Sequence, residues 1–205
     1  LNLEMTSSSV QMENVVVESG YFSEVENKPV STVNFSSEEV RRAPGSAGDV
    51  SRIIYGLPSL AKVNDQRNSL IVRGGSPIEN SFYLDNIEIP NINHFAVQGS
   101  SDGPIGLLNV DFINDVNFYS GGFSPVYGDR LSSIMELTFR EGNKDNFEPQ
   151  VQMSLAGFGG SVEGPINNKG SYLVSLSRSY LDLIISAAET GGAIPRYGSA
   201  QGKIV

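Results

Sequence analysis

The 205 residues contain no cysteine, no tryptophan and a single histidine, His94. Without thiols there is no disulfide framework and no thiolate metal site. With one imidazole, a multi-histidine metal site cannot be assembled, and a Ser–His–Asp arrangement has only His94 to build on. No metal site and no cofactor is therefore expected. No window of about 18 consecutive apolar residues occurs, which excludes a transmembrane helix. Basic residues are scarce: 14 Lys and Arg against 23 Asp and Glu give a formal charge of −9. That balance argues against a nucleic-acid partner, because binding phosphates needs an excess of Lys and Arg. The chain opens on Leu1 with no basic-then-apolar leader, so it reads as a piece of a longer, already processed protein.

Hydrophobic residues make up 39% and charged residues 18%, a globular composition. The 22 glycines favour a β-rich chain with many turns. Most informative are residues 68–75 read with residues 82–90. Leu70, Ile71 and Val72 form a short buried-strand run. Arg73 closes it with a permanent charge, and Gly74 and Gly75 allow a sharp turn or a close backbone approach. Two further strand-like runs flank Asp85-Asn86, a pair that tolerates positive φ and suits a tight hairpin.

Upstream, Val15, Val16 and Val17 sit between acids and a closing Gly20. This run reads either as an ordinary strand or as an extended peptide that adds to a partner's sheet edge. A weak strand is expected over 30–35. A helix then starts at Ser36 and Ser37, with Glu38 and Glu39 in its first turn, and ends at Pro44-Gly45. A second short helix is expected over 46–55, with Val50, Ile53 and Ile54 on one face. Asn34-Phe35-Ser36 fits a glycosylation sequon only by chance.

Residues 91–104 read as a long polar loop with Asn91, Asn93, His94, Phe95 and Gln98. Its aromatic and amide side chains suit a polar ligand such as a sugar or peptide, and a plain surface loop would look the same. A helical turn is expected over 105–109 and strands over 112–119 and 134–140. The loop between those strands is Gly-rich but lacks the Gly-Lys-Ser/Thr ending of a phosphate loop. After Gly142 the pattern changes. Val151, Met153 and Leu155 alternate with Gln152 and Ser154, while Tyr172, Val174 and Leu176 alternate with Ser171, Ser175 and Ser177. Two alternating strands of about ten residues fit a transmembrane β-barrel hairpin as well as the edge of a soluble sandwich. Residues 181–188 are apolar enough to be helical.

Four segments in this order resemble the plug domain of TonB-dependent outer-membrane receptors. Residues 49–60 resemble the family's helix and Leu-Pro stop, with Ser59 where Gly is usual. Residues 70–75 resemble its Ile-Arg-Gly signature, and residues 82–90 its hairpin, with Asn86 at the Gly position. Residues 116–136 resemble its closing segment, with Tyr127 and Gly128 in a Gly-rich turn and Ser120-Gly121-Gly122 replacing the usual Arg-Gly-Pro. The resemblance implies an α+β fold: a small plug domain with a mixed sheet and short helices (29–142), followed by incomplete β-barrel strands (143–205). Residues 1–28 would be a linker and a TonB-box-like segment, with 1–5 the end of a preceding carboxypeptidase-regulatory-like domain.

The resemblance also implies roles. Glu13, Asn14, Val15, Val16 and Val17 would pair with TonB of the TonB–ExbB–ExbD motor by strand addition. Arg73, Gly74, Gly75, Asp85, Tyr127, Gly128, Arg130 and Glu136 would be structural signature residues, with Arg73 paired to Glu136 or Asp129. The 91–104 loop would face an extracellular nutrient, and the plug would fill its own barrel in the outer membrane of a Gram-negative bacterium, with its N-terminus in the periplasm. The competing reading is a soluble carbohydrate-binding or adhesin-like module, which needs residues 142–205 to close a sandwich by themselves. Acid pairs such as Asp85 with Glu88, or Asp111 with Asp115, do not make an enzyme, because nothing sets two carboxylates across a cleft.

Overall fold

The computed structural model describes residues 31–43, 49–62, 68–96, 100, 103–153, 157–167, 170–180 and 196–205. The Val-rich run, Gln98 and the expected helix over 181–188 lie outside the described residues. Two larger sheets dominate. The first has five strands in the order β1-β8-β9-β4-β5: β1 (Thr32–Ser36), β8 (Ile113–Tyr119), β9 (Ser133–Phe139), β4 (Asn80–Leu84) and β5 (Ile87–Ile89). β4 runs parallel to β9, and the other neighbours are antiparallel, so the sheet is mixed. The second is a four-stranded antiparallel wall of β10 (Glu148–Met153), β11 (Gly157–Ile166), β12 (Gly170–Ser179) and β13 (Gly198–Ile204). Two small ladders remain: β2 (Leu60–Ala61) with β3 (Ile71–Val72), and β6 (Asn93–His94) with β7 (Ile105–Gly106).

The five-stranded sheet has one apolar face. Phe35, Val116, Phe118, Met135, Leu137 and Phe82 alternate inward along their strands and are buried. Against them pack α1 (Ser37–Arg42) through Val40 and α2 (Val50–Ile54) through Val50 and Ile54. Both helices are too short to persist alone and depend on this burial. Each begins on a side-chain cap. Ser36 and Glu39 exchange hydrogen bonds in a capping box, and Asp49 Oδ1 accepts from the Ser51 amide at 2.9 Å. The second helix thus starts at Val50, because Asp49 supplies the cap. The opposite face of the sheet is polar, with Asn34, Asn117 and Glu136 in adjacent register.

Two expectations are corrected. The turn expected over 105–109 is strand β7 followed by a 3₁₀ turn at Val110–Phe112, capped by Asn109, whose Oδ1 accepts from the Asp111 amide at 3.0 Å. Ladder bonds to β6 take up the backbone there, which local apolar spacing could not reveal. By the same pairing the 91–104 stretch is not loop throughout: its first part is strand, with Asn93 opposite Gly106.

Alternation in the wall is inverted relative to a soluble sheet. Val151, Met153, Phe158, Leu176 and Ile204 point outward, 88%, 84%, 51%, 62% and 75% exposed. Gln152, Ser161, Ser175, Gln201 and Lys203 point inward toward the first sheet's unit. Leu173 is the inward exception, fully buried as part of the main hydrophobic core.

Candidate functional site

The hairpin at Asp85-Asn86 has φ of +47° and +67°, the two left-handed residues of a tight two-residue turn, which explains how Asn86 can stand where Gly is usual. Asp85 does more than turn the chain. Its Oδ1 accepts from the Phe139 amide at 3.2 Å and from Lys203 Nζ on the wall at 3.0 Å. Gly74 has φ of +80°, and a β-carbon at Gly75 would stand 2.5 Å from Ser132 Oγ, so the two glycines serve a turn and a close approach respectively. Arg73 sits in this turn with φ of +50°.

The expected pairing of Arg73 with Glu136 or Asp129 is not what forms. Arg73 is exposed, and its Nη2 donates to Ser31 Oγ at 3.1 Å. Glu136 instead accepts from two phenols: Tyr119 Oη at 2.8 Å and Tyr127 Oη. The Tyr83 ring packs on Tyr127 with centroids 5.1 Å apart. Burial, and then the Glu136 carboxylate, push the Tyr119 phenol well above its ordinary range, so it remains a donor. Tyr127 thereby ties the Gly-rich segment down onto β9. Gly128 stands open, and Arg130 reaches Glu88 Oε1 at 2.9 Å. The Ser81 hydroxyl first, then Arg130, hold the Glu88 carboxyl below its ordinary range.

At the ligand-facing candidates the structure separates two kinds of residue. Asn93 is only 5% exposed, and its Oδ1 accepts from Asn68 Nδ2 at 3.2 Å and Ser51 Oγ at 3.4 Å. It therefore holds the loop's stem and does not face outward. Asn91 caps the same stem, its Oδ1 accepting from the Asn93 amide at 3.1 Å. His94 and Phe95 lie farther out. The His94 ring stacks on Tyr197 at 4.5 Å, and Phe95, with φ of +60° and 42% exposed, meets the Tyr197 edge at 6.0 Å. Burial holds the His94 imidazole below its ordinary range, so it is neutral at neutral pH. His94 and Tyr197 border a cavity of about 580 Å³ between α2, β7 and the wall, lined also by Arg52, Ser175, Ser199 and Gln201.

Two groups were not foreseen. The first is the buried set Asp49, Ser51, Asn68 and Asn93. Asn68 Nδ2 donates to Asp49 Oδ2, and the Gly106 amide donates to the same carboxylate. Burial pushes this carboxyl above its ordinary 3.8 despite those donors. An Asp directly before a helical run was the one available signal. The second is the contact between the sheet unit and the wall. Arg140 grips Glu163 with two hydrogen bonds of 2.6 and 2.7 Å, Gln152 donates to Asp111, and Asn109 donates to Ser175 Oγ at 3.2 Å. No cluster of three or more metal-ligating acids and imidazoles occurs among the described residues.

A family model described as the TonB-dependent receptor plug domain matches residues 24–133. The TonB-dependent transporter Oar of Myxococcus xanthus is 26% identical over 118 residues, which is 55% of this chain and 10% of Oar. Among solved structures, the outer membrane transporter YddB of Escherichia coli aligns with a TM-score of 0.54 at 13% identity, covering 85% of this chain and 30% of that one. A mutant form of the ferric enterobactin receptor PfeA from Pseudomonas aeruginosa gives 0.50 at 16% identity, covering 73% and 24%. At such identities the structural likeness speaks for the fold alone. The chain spans between 10% and 30% of the length of these relatives.

Proposed function

Because this chain belongs to the family of TonB-dependent receptor plug domains, we propose that it gates an outer-membrane transporter that takes up a scarce nutrient with energy supplied from the inner membrane. The inverted wall carries this reading. A sheet with Val151, Met153, Leu176 and Ile204 outward and Ser, Gln and Lys inward suits lipid outside and a filled polar lumen inside. A soluble binding module would need the opposite arrangement. In this reading the five-stranded unit is the plug, and β10 to β13 are the first strands of the barrel around it. The N-terminus lies on the periplasmic side, and residues 12–20 add as a strand to TonB. His94, Phe95 and the 580 Å³ cavity beside them form the ligand side.

Binding of the full-length receptor to the C-terminal domain of TonB tests the proposal, with and without residues 12–20. Binding that disappears with the deletion is the expected result. Unchanged binding would move the docking segment elsewhere, and no binding by a folded receptor would overturn the gate reading.

A further inference from the structure

The 580 Å³ cavity between α2 and the wall is lined unevenly. Its wall side is a patch of small neutral groups. Ser175 and Gln201 are register partners on β12 and β13, and so are Ser177 and Ser199. The Ser177 and Ser199 hydroxyls lie 2.6 Å apart and share one hydrogen bond, which leaves one of them a proton to donate. Ser175 Oγ accepts from Asn109 Nδ2 at 3.2 Å and keeps its own proton. Gln201 is already engaged: its Oε1 accepts from the Asn109 amide at 3.0 Å, and its Nε2 donates to the Leu107 carbonyl. The stacked His94 and Tyr197 rings close one side without adding charge at neutral pH.

Arg41, Arg52 and Arg178 border the same cavity. Arg41 is held by Asp111 at 3.5 Å and by Glu38 at 3.9 Å. Arg178 falls in the exposed row of β12 with Val174 and Leu176. Arg52 differs from both. It is half-buried on α2, whose packing is done by Val50, Ser51 and Ile54. Asp49, one turn before it, gives its oxygens to the Ser51 and Gly106 amides and to Asn68 Nδ2. Among the described residues, no carboxylate stands within ion-pair distance of Arg52. A permanent cation with a flat fork of donors thus borders the cavity whose other side carries hydroxyls.

We infer that this cavity binds a small hydroxylated carboxylate, with the carboxylate held by the Arg52 fork and the hydroxyls by Ser175, Ser177 and Ser199. Arginine meets a carboxylate through two parallel hydrogen bonds, a geometry that a neutral polyol cannot return. The volume falls within the range of about 300–1,000 Å³ common to small-molecule sites. The assignment names the ligand chemistry of the side that the gate reading gives to the nutrient, and it rests on that reading for its purpose.

The test uses the full-length receptor in lipid nanodiscs. Phenylglyoxal labels guanidinium groups, and peptide mass spectrometry reads each arginine separately. Gluconate carries a carboxylate and hydroxyls, sorbitol only hydroxyls, and butyrate only a carboxylate. At about ten times its half-saturating concentration, gluconate is expected to slow labelling of Arg52 about tenfold by mass action. Labelling of the exposed Arg73 should not change, and sorbitol or butyrate at the same concentration should protect Arg52 far less. Arg52→Gln, which keeps the packing residues of α2, is expected to weaken gluconate binding about tenfold in isothermal titration, the scale of a lost charge-assisted hydrogen bond. Ser177→Ala combined with Ser199→Ala should bring the affinity for gluconate down toward that for butyrate. Butyrate protecting as well as gluconate, equal slowing at Arg73, or an Arg52 that phenylglyoxal cannot reach or gluconate leaves fully reactive would each overturn the site. Neither TonB nor transport enters the readout, so these outcomes are separate from failure of the TonB-binding experiment.

Discussion

Glu136 shows how a single carboxylate can organise a turn without a cation. Two phenols supply its hydrogen bonds, and both rings pack with neighbours, so the charge is solvated by side chains that also fill space. Asp49 is the harder case, being only 6% exposed. Its carboxyl is raised in the fold, chiefly by burial, so the folded state keeps its proton to a higher pH than the unfolded chain does. The stability this lends is complete below the ordinary 3.8 and is lost as pH rises through the folded value, where the buried charge must form. Asparagine at this position keeps an acceptor for the Ser51 amide and does not titrate. The stability of the wild type relative to Asp49→Asn is therefore expected to rise as pH is lowered from 7 toward 4.5. Protection of the 93–106 amides at both pH values measures it, and a difference that does not change with pH would refute the assignment.

Strand β12 carries the same kind of argument one level up, because adjacent residues meet opposite surroundings. Leu176 points outward and Ser177 inward, where its hydroxyl lies 2.6 Å from Ser199 Oγ. In a lipid-facing wall, Leu176→Arg should cost about 2–4 kcal/mol near the bilayer midplane, while Ser177→Arg, on the lumen side, should cost less in insertion. The two variants can be compared by their folding yields into liposomes, and equal yields would contradict a bilayer on the outer face. The alternation behind this prediction was plain in the sequence, since Tyr172, Val174 and Leu176 fall two apart among Ser171, Ser175 and Ser177, with Leu173 the one apolar residue out of phase. The hairpin at Asp85-Asn86 was equally legible, because turn chemistry is local. The β6–β7 ladder was not, since Asn93 and Gly106 become partners only through an intervening loop. The roles of the site residues were legible in part. The sequence marked Arg73 and Glu136 but paired them by charge, whereas two tyrosines brought in by β8 and the Gly-rich segment occupy the carboxylate first. The Asp49 node escaped because Asp49 and Ser51 meet Asn68 and Asn93 only in the fold, across 17 to 44 residues of chain (68 − 51 and 93 − 49).

At the scale of the molecule, the plug meets its wall through the Asp85 turn, residues 107–111 and Arg140, and one buried leucine, Leu173, joins the wall to the plug core. The rest of that contact is polar and specific: Arg140 with Glu163, Lys203 with Asp85, Gln201 with the Leu107 carbonyl. In the proposed role, the plug has to be seated firmly enough to block a lumen and still be able to leave its seat. Hydrogen-bonded pairs suit that requirement better than an apolar seam, because water can replace their partners as they separate. The Arg140 and Glu163 side chains are 32% and 13% exposed, and their geometry is bidentate. Removing either partner alone leaves the other charge without its counter-ion at the contact. Glu163→Gln is thus expected to lower the urea midpoint for unfolding of the plug, followed at β8 and β9 amides, by an amount worth about 1–3 kcal/mol. The exchanged pair, Arg140→Glu with Glu163→Arg, should recover part of the loss, since the attraction is restored while the fork geometry is reversed. A midpoint unmoved by Glu163→Gln would mean that shape and Leu173 hold the plug in its seat, and that the polar contacts serve only to keep the interface hydrated.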